Sequence, residues 1–215
     1  MRPFGATEFF FIVKALQWTA ALSLAALLIG GIGGLLIATA RIVPARAPRI
    51  LAAGFIELFQ GTPLLLQLFV AYFGLGLFGW NIDAWSAACA ALSLHTAAFL
   101  GEIWRGCLQA IPKTQWEAGA SLGLSMTAQL RYIIVPQALR LAIPPTVGFL
   151  VQLIKNTSLA AVIGFIELTR EGQLTTATTF RPFTVYLIVA AIYFALCFPL
   201  TQWSRRLERR LHVAR

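Results

Sequence analysis

Four long stretches of this sequence contain no charged residue, and they constrain the fold more than any other feature. The stretches are Ala15–Ala40, Leu58–Ile82, Ala84–Gly101 and Pro182–Ser204. Each reaches the ~18 residues that indicate a membrane-spanning helix. Only 12% of the 215 residues are charged and 59% are hydrophobic, whereas soluble domains carry about 25% charged residues. An ordinary soluble globular protein is therefore excluded.

A fifth apolar run is shorter and interrupted. It covers Leu141–Ile154, contains Pro144–Pro145, and resumes after Lys155 as Asn156–Ile166. Non-helical backbone survives at membrane depth only where protein or water satisfies its polar groups, so we expect one span followed by a broken or re-entrant segment. The sequence thus predicts an all-α integral membrane protein with five transmembrane helices in a single domain, 1–215.

The basic residues alternate between the loops and predict the orientation. Seventeen Lys and Arg against eight Asp and Glu give a net charge of +9. Between successive spans the Lys and Arg number three, none, four and two, and five follow in the tail. The positive-inside rule then places the N-terminus in the periplasm and the C-terminus in the cytoplasm. Nucleic-acid binding is disfavoured, because no basic groove interleaved with aromatic residues is present.

The three cysteines do not form a recognisable site. Cys89, Cys107 and Cys197 fall in or beside apolar segments without C-x-x-C spacing. This spacing indicates neither a zinc site nor a disulfide framework. We interpret them as small apolar packing residues and expect no metal centre.

The segment 102–140 is the longest one predicted to face the cytoplasm, and it is expected to fold into short helices. Ile111–Pro112 breaks the helix that leaves the third span, and a new helix begins at Lys113. A second helix is expected at Thr127–Val135, ending before Pro136. A pair of helices that lies on the membrane surface or docks on a partner follows from this pattern.

Several residues inside this segment match the residue types and the spacing of a motif from a known protein family. Glu117-Ala118-Gly119, then Gly123, then Ile133–Pro136 keep the spacing of a longer pattern. It resembles the EAA loop of ABC-importer permeases, which reads Glu-Ala-Ala, three residues, Gly, nine residues, Ile, any residue, Leu, Pro. Here Gly119 replaces the second Ala and Val135 replaces Leu. The resemblance implies a type I ABC importer transmembrane domain.

Further blocks narrow the resemblance to permeases of polar amino-acid importers, of the histidine, glutamine, glutamate or arginine type. The blocks are Glu57–Leu65, Gly101–Gly106, Ile111–Ala118 and Lys155–Leu159. The similarity covers about residues 10–205. Family members often carry other residues where this chain has Gln60, Gly101, Cys107 and Asn156. An Asp is common in place of Asn156, so we expect that a strongly cationic amino acid is not favoured.

The resemblance implies that the EAA loop docks on a cytoplasmic ATPase. Glu117, Ala118, Gly119 and Gly123 are the expected docking residues, with Glu117 meeting a basic or hydroxyl group. Small residues permit close approach of two backbones. The alternative is that the glycines only allow tight packing within this chain. The other implied partners are a second permease subunit, identical or related, and an extracytoplasmic amino-acid-binding protein.

One candidate substrate path follows a break in the second span. Glu57 must face protein or water or lie near an interface, because a charge at the bilayer centre costs at least ~2.5–3.5 kcal/mol. Gln60, Gly61 and Thr62 follow it, and Pro63 then removes a backbone donor. The freed backbone groups would face an amino-acid zwitterion. The alternative is a kink stabilised by Glu57 and Thr62 without substrate contact.

A second polar cluster follows the fourth span. Lys155, Asn156, Thr157 and Ser158 stand between two apolar segments. By resemblance this turn lines the central cavity, where its side chains would hydrogen-bond an ammonium or carboxylate group. Lys155 would pair with an acid such as Glu57, in the same or the partner subunit. The alternative is a helix break whose polar groups satisfy one another.

One residue of the third span and two that follow it complete the candidate set. His95 lies in mid-span and is either a substrate-path residue or a packing histidine. Glu102 and Arg105, spaced i, i+3, are expected to form a structural or gating pair. The segment 167–171 is expected outside the membrane, as a solvated loop or a contact for a substrate-delivering protein.

The sequence points to a transport subunit rather than an enzyme. It contains no G-x-x-x-x-G-K-[ST] motif, so ATP and magnesium are expected on a partner ATPase and no cofactor on this chain. An ion-coupled secondary carrier, a membrane-embedded enzyme and an ABC permease for another small solute are the alternatives. The expected location is the bacterial cytoplasmic (inner) membrane.

Overall fold

The computed structural model describes residues 4–213, with side chains through Arg209. Two of the five basic residues counted in the predicted cytoplasmic tail, Arg210 and Arg215, have side chains outside this description. The α-helices are α1 (Ala6–Ile42), α2 (Arg46–Gly61), α3 (Leu64–Phe69), α4 (Leu75–Leu77), α5 (Ala84–Gln109), α6 (Lys113–Ser121), α7 (Met126–Gln129), α8 (Val135–Asn156), α9 (Leu168–Thr179) and α10 (Pro182–Val213). Shorter helical turns of other types are the π-helices Val70–Gly74 and Leu130–Ile134 and the 3-10 helix Thr157–Ile163.

Within residues 4–213, four helices are long and apolar enough to cross a membrane. They are Ala6–Ile42, Ala84–Gln109, Met126–Ile163 and Pro182–Arg209. A fifth candidate is the pair Arg46–Gly61 and Leu64–Leu77, whose axes meet at 103°. The expected five spans agree with the four helices plus this bent pair. The predicted span 58–82 is therefore not one helix, since Pro63 supplies no N–H at the bend.

The helices extend beyond the charge-free runs from which the spans were predicted. α1 includes Glu8 and Lys14, and α5 continues through Glu102 and Arg105 to Gln109. Long charged side chains at helix ends reach the membrane interface while the backbone stays helical. The first eight residues of the segment 102–140 consequently belong to α5.

The helix expected to end before Pro136 does not end there. α7, the π-helical turn Leu130–Ile134 and α8 follow one another, and α8 also contains Pro144 and Pro145. A π-turn widens the helix locally, which accommodates a residue that lacks an N–H. The boundary at Val135 was therefore wrong. The start at Lys113 is confirmed, because α5 ends at Gln109 and α6 begins at Lys113.

The centre of the fold is the contact between α1 and α5, which small residues bring close together. A Cβ added to Gly30 would lie 2.5 Å from Thr96 Cβ, and one added to Gly101 would lie 2.7 Å from Ile37 Cγ2. Such small-residue faces allow membrane helices to pack backbone against backbone. α5 consequently becomes the buried helix against which α1, α2, α3 and α8 lie.

The broken helix and the turn after α8 both pack against this centre. Leu64 and Leu68 of α3 share a buried apolar cluster with Leu92 and Leu100 of α5. Ala160 and Ile163 of the 3-10 helix belong to the same cluster. The two polar segments singled out as candidate substrate paths are therefore carried by neighbouring elements.

Candidate functional site

The break between α2 and α3 is held by Gln67, a residue that sequence analysis did not single out. Its Nε2 lies within hydrogen-bond distance of the carbonyl oxygens of Phe59 (2.8 Å) and Thr62 (3.0 Å) and of Thr62 Oγ1 (2.9 Å). The Thr62 hydroxyl donates to the Leu58 carbonyl at 2.7 Å. Carbonyl groups that lose their helical partners where α2 ends therefore receive side-chain donors.

His95 continues this polar chain into α5. Its Nδ1 lies 3.3 Å from Gln67 Oε1, and its ring lies 4.4 Å from the ring of Phe99, centroid to centroid. The side chain is buried. When Nδ1 donates to Gln67, a neutral imidazole keeps Nε2 as an acceptor. His95 is thus both packed and hydrogen-bonded to the broken helix, and its contact with substrate stays a prediction.

The other residues expected at the break lie on its outer side. Glu57, Gln60 and Gly61 are exposed, and among the side chains described, through Arg209, no hydrogen bond or ion pair engages the Glu57 carboxylate. A kink stabilised by Thr62 is therefore present without help from Glu57. Gln60 lines a cavity of about 400 Å³ together with Phe99 and Glu102.

Glu102 and Arg105 form the pair predicted from their spacing. Arg105 Nε donates to Glu102 Oε2 at 2.8 Å, and a second guanidinium nitrogen contacts Oε1. Arg105 also donates to Gln109 Oε1, one turn further along α5. The pair neutralises a carboxylate on the wall of the 400 Å³ cavity. A gating role for it stays a prediction.

The hydroxyl groups after α8 are satisfied by the chain itself. Thr157 Oγ1 donates to the Ile154 carbonyl at 2.8 Å, and Ser158 Oγ donates to the Lys155 carbonyl at 2.7 Å. Both bonds cap the change from α-helix to 3-10 helix at Thr157. This is the arrangement expected of a self-satisfied helix break.

Asn156 and Lys155 differ from these two hydroxyl groups in their exposure and hydrogen bonding. Asn156 is half-buried and its Oδ1 accepts from Gln152 Nε2 at 3.2 Å, while Lys155 is exposed. Among the residues that the structure describes, no ion pair joins Lys155 to Glu57. Pairing with an acid of a second subunit stays a prediction.

The helix that carries the EAA resemblance has an open face and a packed face. Glu117 and Ala118 are exposed, whereas Gly119 is buried, and a Cβ on it would lie 2.9 Å from Gln129 Cγ. Gly123 follows the helix in the left-handed region, with φ of 70°, which favours glycine. Gly119 therefore packs inward, as the alternative of self-packing predicted, and a docking role for the exposed residues stays a prediction.

The expectation of a solvated loop at 167–171 was wrong for its first residue. Glu167 is fully buried and its Oε2 accepts from Tyr193 Oη at 2.8 Å and from Thr19 Oγ1 at 3.4 Å. Its Oε1 accepts from the Arg170 backbone N–H at 2.9 Å and caps α9. Burial raises the pKa of this carboxyl. The sequence contained one signal for the capping role of Glu167, an acid at the N-cap position of a helix. It contained no signal that other helices would cover this residue.

Comparisons with known proteins identify the family. The model of the family described as "Binding-protein-dependent transport system inner membrane component" matches residues 30–213. The chain is 36% identical over 203 residues to "Probable amino-acid ABC transporter permease protein YckA" of Bacillus subtilis (strain 168), covering 94% of this chain and 90% of that protein. It is 38% identical over 203 residues to "Glutamine transport system permease protein GlnP" of Escherichia coli (strain K12), covering 93% and 91%.

Solved structures share the fold over nearly the whole chain. One is described as "Crystal structure of an amino acid ABC transporter with histidines", with a TM-score of 0.89, 36% identity, and coverage of 93% of this chain and 94% of that one. An inward-facing structure of the MetNI methionine ABC transporter, 18% identical, has a TM-score of 0.73 over 95% and 99% of the two chains. The resemblance drawn from the EAA spacing is confirmed at the family level. The chain is a multi-pass membrane protein that belongs to the family of binding-protein-dependent transport system inner membrane components.

Proposed function

We propose that this chain is the permease subunit of an ATP-driven ABC importer that moves a polar amino acid across the cytoplasmic membrane by alternating access. The observation that carries the proposal is its near full-length likeness to the structure of an amino acid ABC transporter, at 36% identity and a TM-score of 0.89. The relative named as a glutamine permease supports a polar substrate. A binding protein would deliver the amino acid to this chain and a second permease subunit, and the solute would pass between the two.

Coupling to a separate ATPase would run through α6. Glu117 and Ala118 offer an exposed docking face, and Gly119 seats the opposite face of α6 against Gln129 and Ile133. Those two residues belong to the helical stretch Met126–Ile163. A displacement of α6 on closure of the ATPase dimer would therefore pass directly to α8, because close-packed contacts transmit rather than absorb movement. ATP and magnesium would reside on the ATPase.

The substrate path would be formed by the polar groups around the broken helix and the turn after α8. Gln60, Gly61 and Thr62 lie at the break, and the Gln67–His95 contact links it to α5. Asn156 lies at the end of α8 and offers an amide rather than a charge. Hydrogen-bonding groups without net charge suit a zwitterionic amino acid better than a strongly cationic one.

Glu117→Lys tests the coupling. The substituted chain should remain in the membrane but lose co-purification with its ATPase and lose transport, because a cation replaces the exposed acid on the docking face. Glu208→Lys is the matched control, since it makes the same charge change at another exposed site near the C-terminal end of α10. The measurement is a pull-down of the tagged chain in mild detergent, followed by ATPase and uptake assays.

Two results would contradict the proposal. Normal co-purification and transport by Glu117→Lys would remove α6 from the coupling interface. The absence of any ATPase from a folded wild-type preparation would favour an ion-coupled secondary carrier instead.

A further inference from the structure

A cleft of about 570 Å³ opens where four helices end on one side of the molecule. Two of these helix ends are C-terminal, those of α1 and α5, and two are N-terminal, the first turns of α2 and α6. Its lining residues are Arg41, Ile42, Arg49, Leu108, Gln109, Ile111, Lys113, Trp116 and Leu130. The cleft does not include the residues of the candidate substrate path.

The charges on this lining all have one sign. Arg41, Arg49 and Lys113 contribute three cations, and the lining contains no carboxylate. Among the side chains described, through Arg209, the ion pair found is Arg105–Glu102, so none of these three cations has a paired acid. Glu102 lies near enough to interact with the charge of Arg41 but is already paired with Arg105. A concave site lined by cations without a paired acid concentrates anions.

One of these cations, Arg41, has an N–H group without a hydrogen-bond acceptor in the part of the chain that the structure describes. Arg41 Nε is buried and has no hydrogen-bond partner among the described residues, while Arg41 Nη1 lies 3.5 Å from the Arg49 carbonyl oxygen. Leaving a buried polar group without a partner is unfavourable. Because Arg41 lines the cleft, an anion bound there would lie beside this incompletely satisfied guanidinium group.

The second arginine is held in place rather than free to reorient. Arg49 Nη2 donates to the Pro44 carbonyl at 2.9 Å and to the Val43 carbonyl at 3.3 Å, where α1 ends. Its charge therefore stays beside the cleft without being neutralised by an acid. Preorganised cations bind a phosphate group without first losing side-chain freedom.

The apolar part of the lining limits what the ligand can be. Ile42, Leu108, Ile111 and Leu130 adjoin the three cations, and Trp116 stands among them. Tryptophan favours the membrane–water interface, where an apolar ring and a polar N–H are both accommodated. A ligand that combines an anionic group with hydrocarbon fits this wall better than a free anion does.

We propose that this cleft binds the phosphate group of an anionic membrane lipid. Arg41 and Lys113 would donate to the phosphate oxygens, and the apolar residues would hold the adjoining glycerol and acyl carbons. Basic pockets between membrane helices bind acidic lipid headgroups by the same chemistry. The lipid would bridge α1 to α6 and steady the helix that carries Glu117. Lipid binding here requires only that the chain lies in a membrane and is independent of the solute it transports.

The test is a lipid titration of the purified full-length chain by native mass spectrometry in mild detergent. Phosphatidylglycerol and phosphatidylcholine are compared, and inorganic phosphate is added as a competitor. The variant Arg41→Gln/Lys113→Gln removes two cations of the cleft. Arg46→Gln/Arg140→Gln, two exposed arginines that do not line the cleft, removes the same charge elsewhere. Lys113→Gln alone serves if the double variant fails to fold.

The wild-type chain should prefer phosphatidylglycerol to phosphatidylcholine. Each cation removed from the cleft should weaken phosphatidylglycerol binding about fivefold, so the double variant loses roughly 25-fold. The matched double variant should retain wild-type affinity. Equal binding of the two lipids, or an equal loss in both double variants, would overturn the proposal. Occupancy by inorganic phosphate with no lipid preference would also overturn it, in favour of a free-anion site.

Discussion

A single buried carboxylate joins three helices on one side of the fold. Glu167 begins α9 and accepts hydrogen bonds from Thr19 of α1 and Tyr193 of α10. Thr19 Oγ1 in turn accepts from the Leu168 backbone N–H at 3.1 Å. The hydrogen bonds offset part of the cost of burying an acid without a cation. Burial nevertheless raises the pKa of Glu167 above its ordinary value of 4.5.

Substitution of Glu167 should change both stability and its pH dependence. A native pKa above the unfolded value makes a contribution to stability that is present below about pH 4.5 and is lost as the pH rises through the native pKa. Glu167→Gln should remove this dependence, because the amide does not titrate. Glu167→Ala should lower the free energy of unfolding by ~1–3 kcal/mol below about pH 4.5, because it leaves buried donors unpaired. This loss should shrink as the pH rises through the native pKa, since only the wild-type residue titrates.

Thermal unfolding in detergent across acidic and neutral pH measures these effects. Glu171→Gln, at a half-buried position of the same helix, is the control and should keep the wild-type pH dependence. An unchanged pH slope in Glu167→Gln would show that this carboxyl does not change protonation on folding.

The pairing of α1 with α5 depends on glycine at the contact. A Cβ on Gly30 would lie 2.6 Å from the Ser93 carbonyl oxygen as well as 2.5 Å from Thr96 Cβ. A carbonyl oxygen of a buried helix cannot move aside without displacing its own turn. The contact between α1 and α5 therefore has no room for a residue larger than glycine at position 30.

Two Gly→Ala substitutions should act with opposite sign. Gly30→Ala should lower the free energy of unfolding by ~1–3 kcal/mol, because the added methyl overpacks the contact. Gly54→Ala on α2 should raise it by ~0.5–1 kcal/mol, because no atom lies within 4 Å of the added Cβ and alanine favours a helix over glycine. The measurement is thermal unfolding of the purified chain. A stable Gly30→Ala protein would mean that α1 and α5 lie further apart.

The selectivity of the whole molecule should respond to one charge at the end of α8. If the proposed amino-acid transport is correct, Asn156→Asp should raise uptake of arginine relative to glutamine by roughly tenfold, since a hydrogen bond to a charged group is worth ~1.5–3 kcal/mol. Asn81→Asp, an exposed site before α5, is the control. Competing uptake of the two amino acids by proteoliposomes that contain the complete transporter measures the ratio. An unchanged ratio would remove Asn156 from the substrate path.

Local spacing allowed several features of the site to be predicted. The Glu102–Arg105 pair follows from positions i and i+3 of a helix, and the start of α6 follows from Pro112. The break near Pro63 follows from a residue without an N–H. Each depends on residues within a few positions of one another, which is the range over which sequence alone indicates geometry.

Features that depend on distant residues escaped prediction. Gln67 acquires its role only because α3 folds back so that its amide reaches Phe59 and His95. Glu167 is buried only because Thr19 and Tyr193 come from helices far away in the chain. No spacing rule connects such residues before the helices are packed.

The class of protein could be predicted from the order of amino acids alone, as could its apolar helices, its helix-breaking prolines and the spacing of the EAA residues. These follow from hydrophobicity and from backbone chemistry, which act locally along the chain. The packing of the helices was needed to show which face of α6 is open, that Glu167 is buried, and that three cations line one cleft. The reason is that burial, solvent access and the sum of neighbouring charges are properties of surfaces brought together by folding.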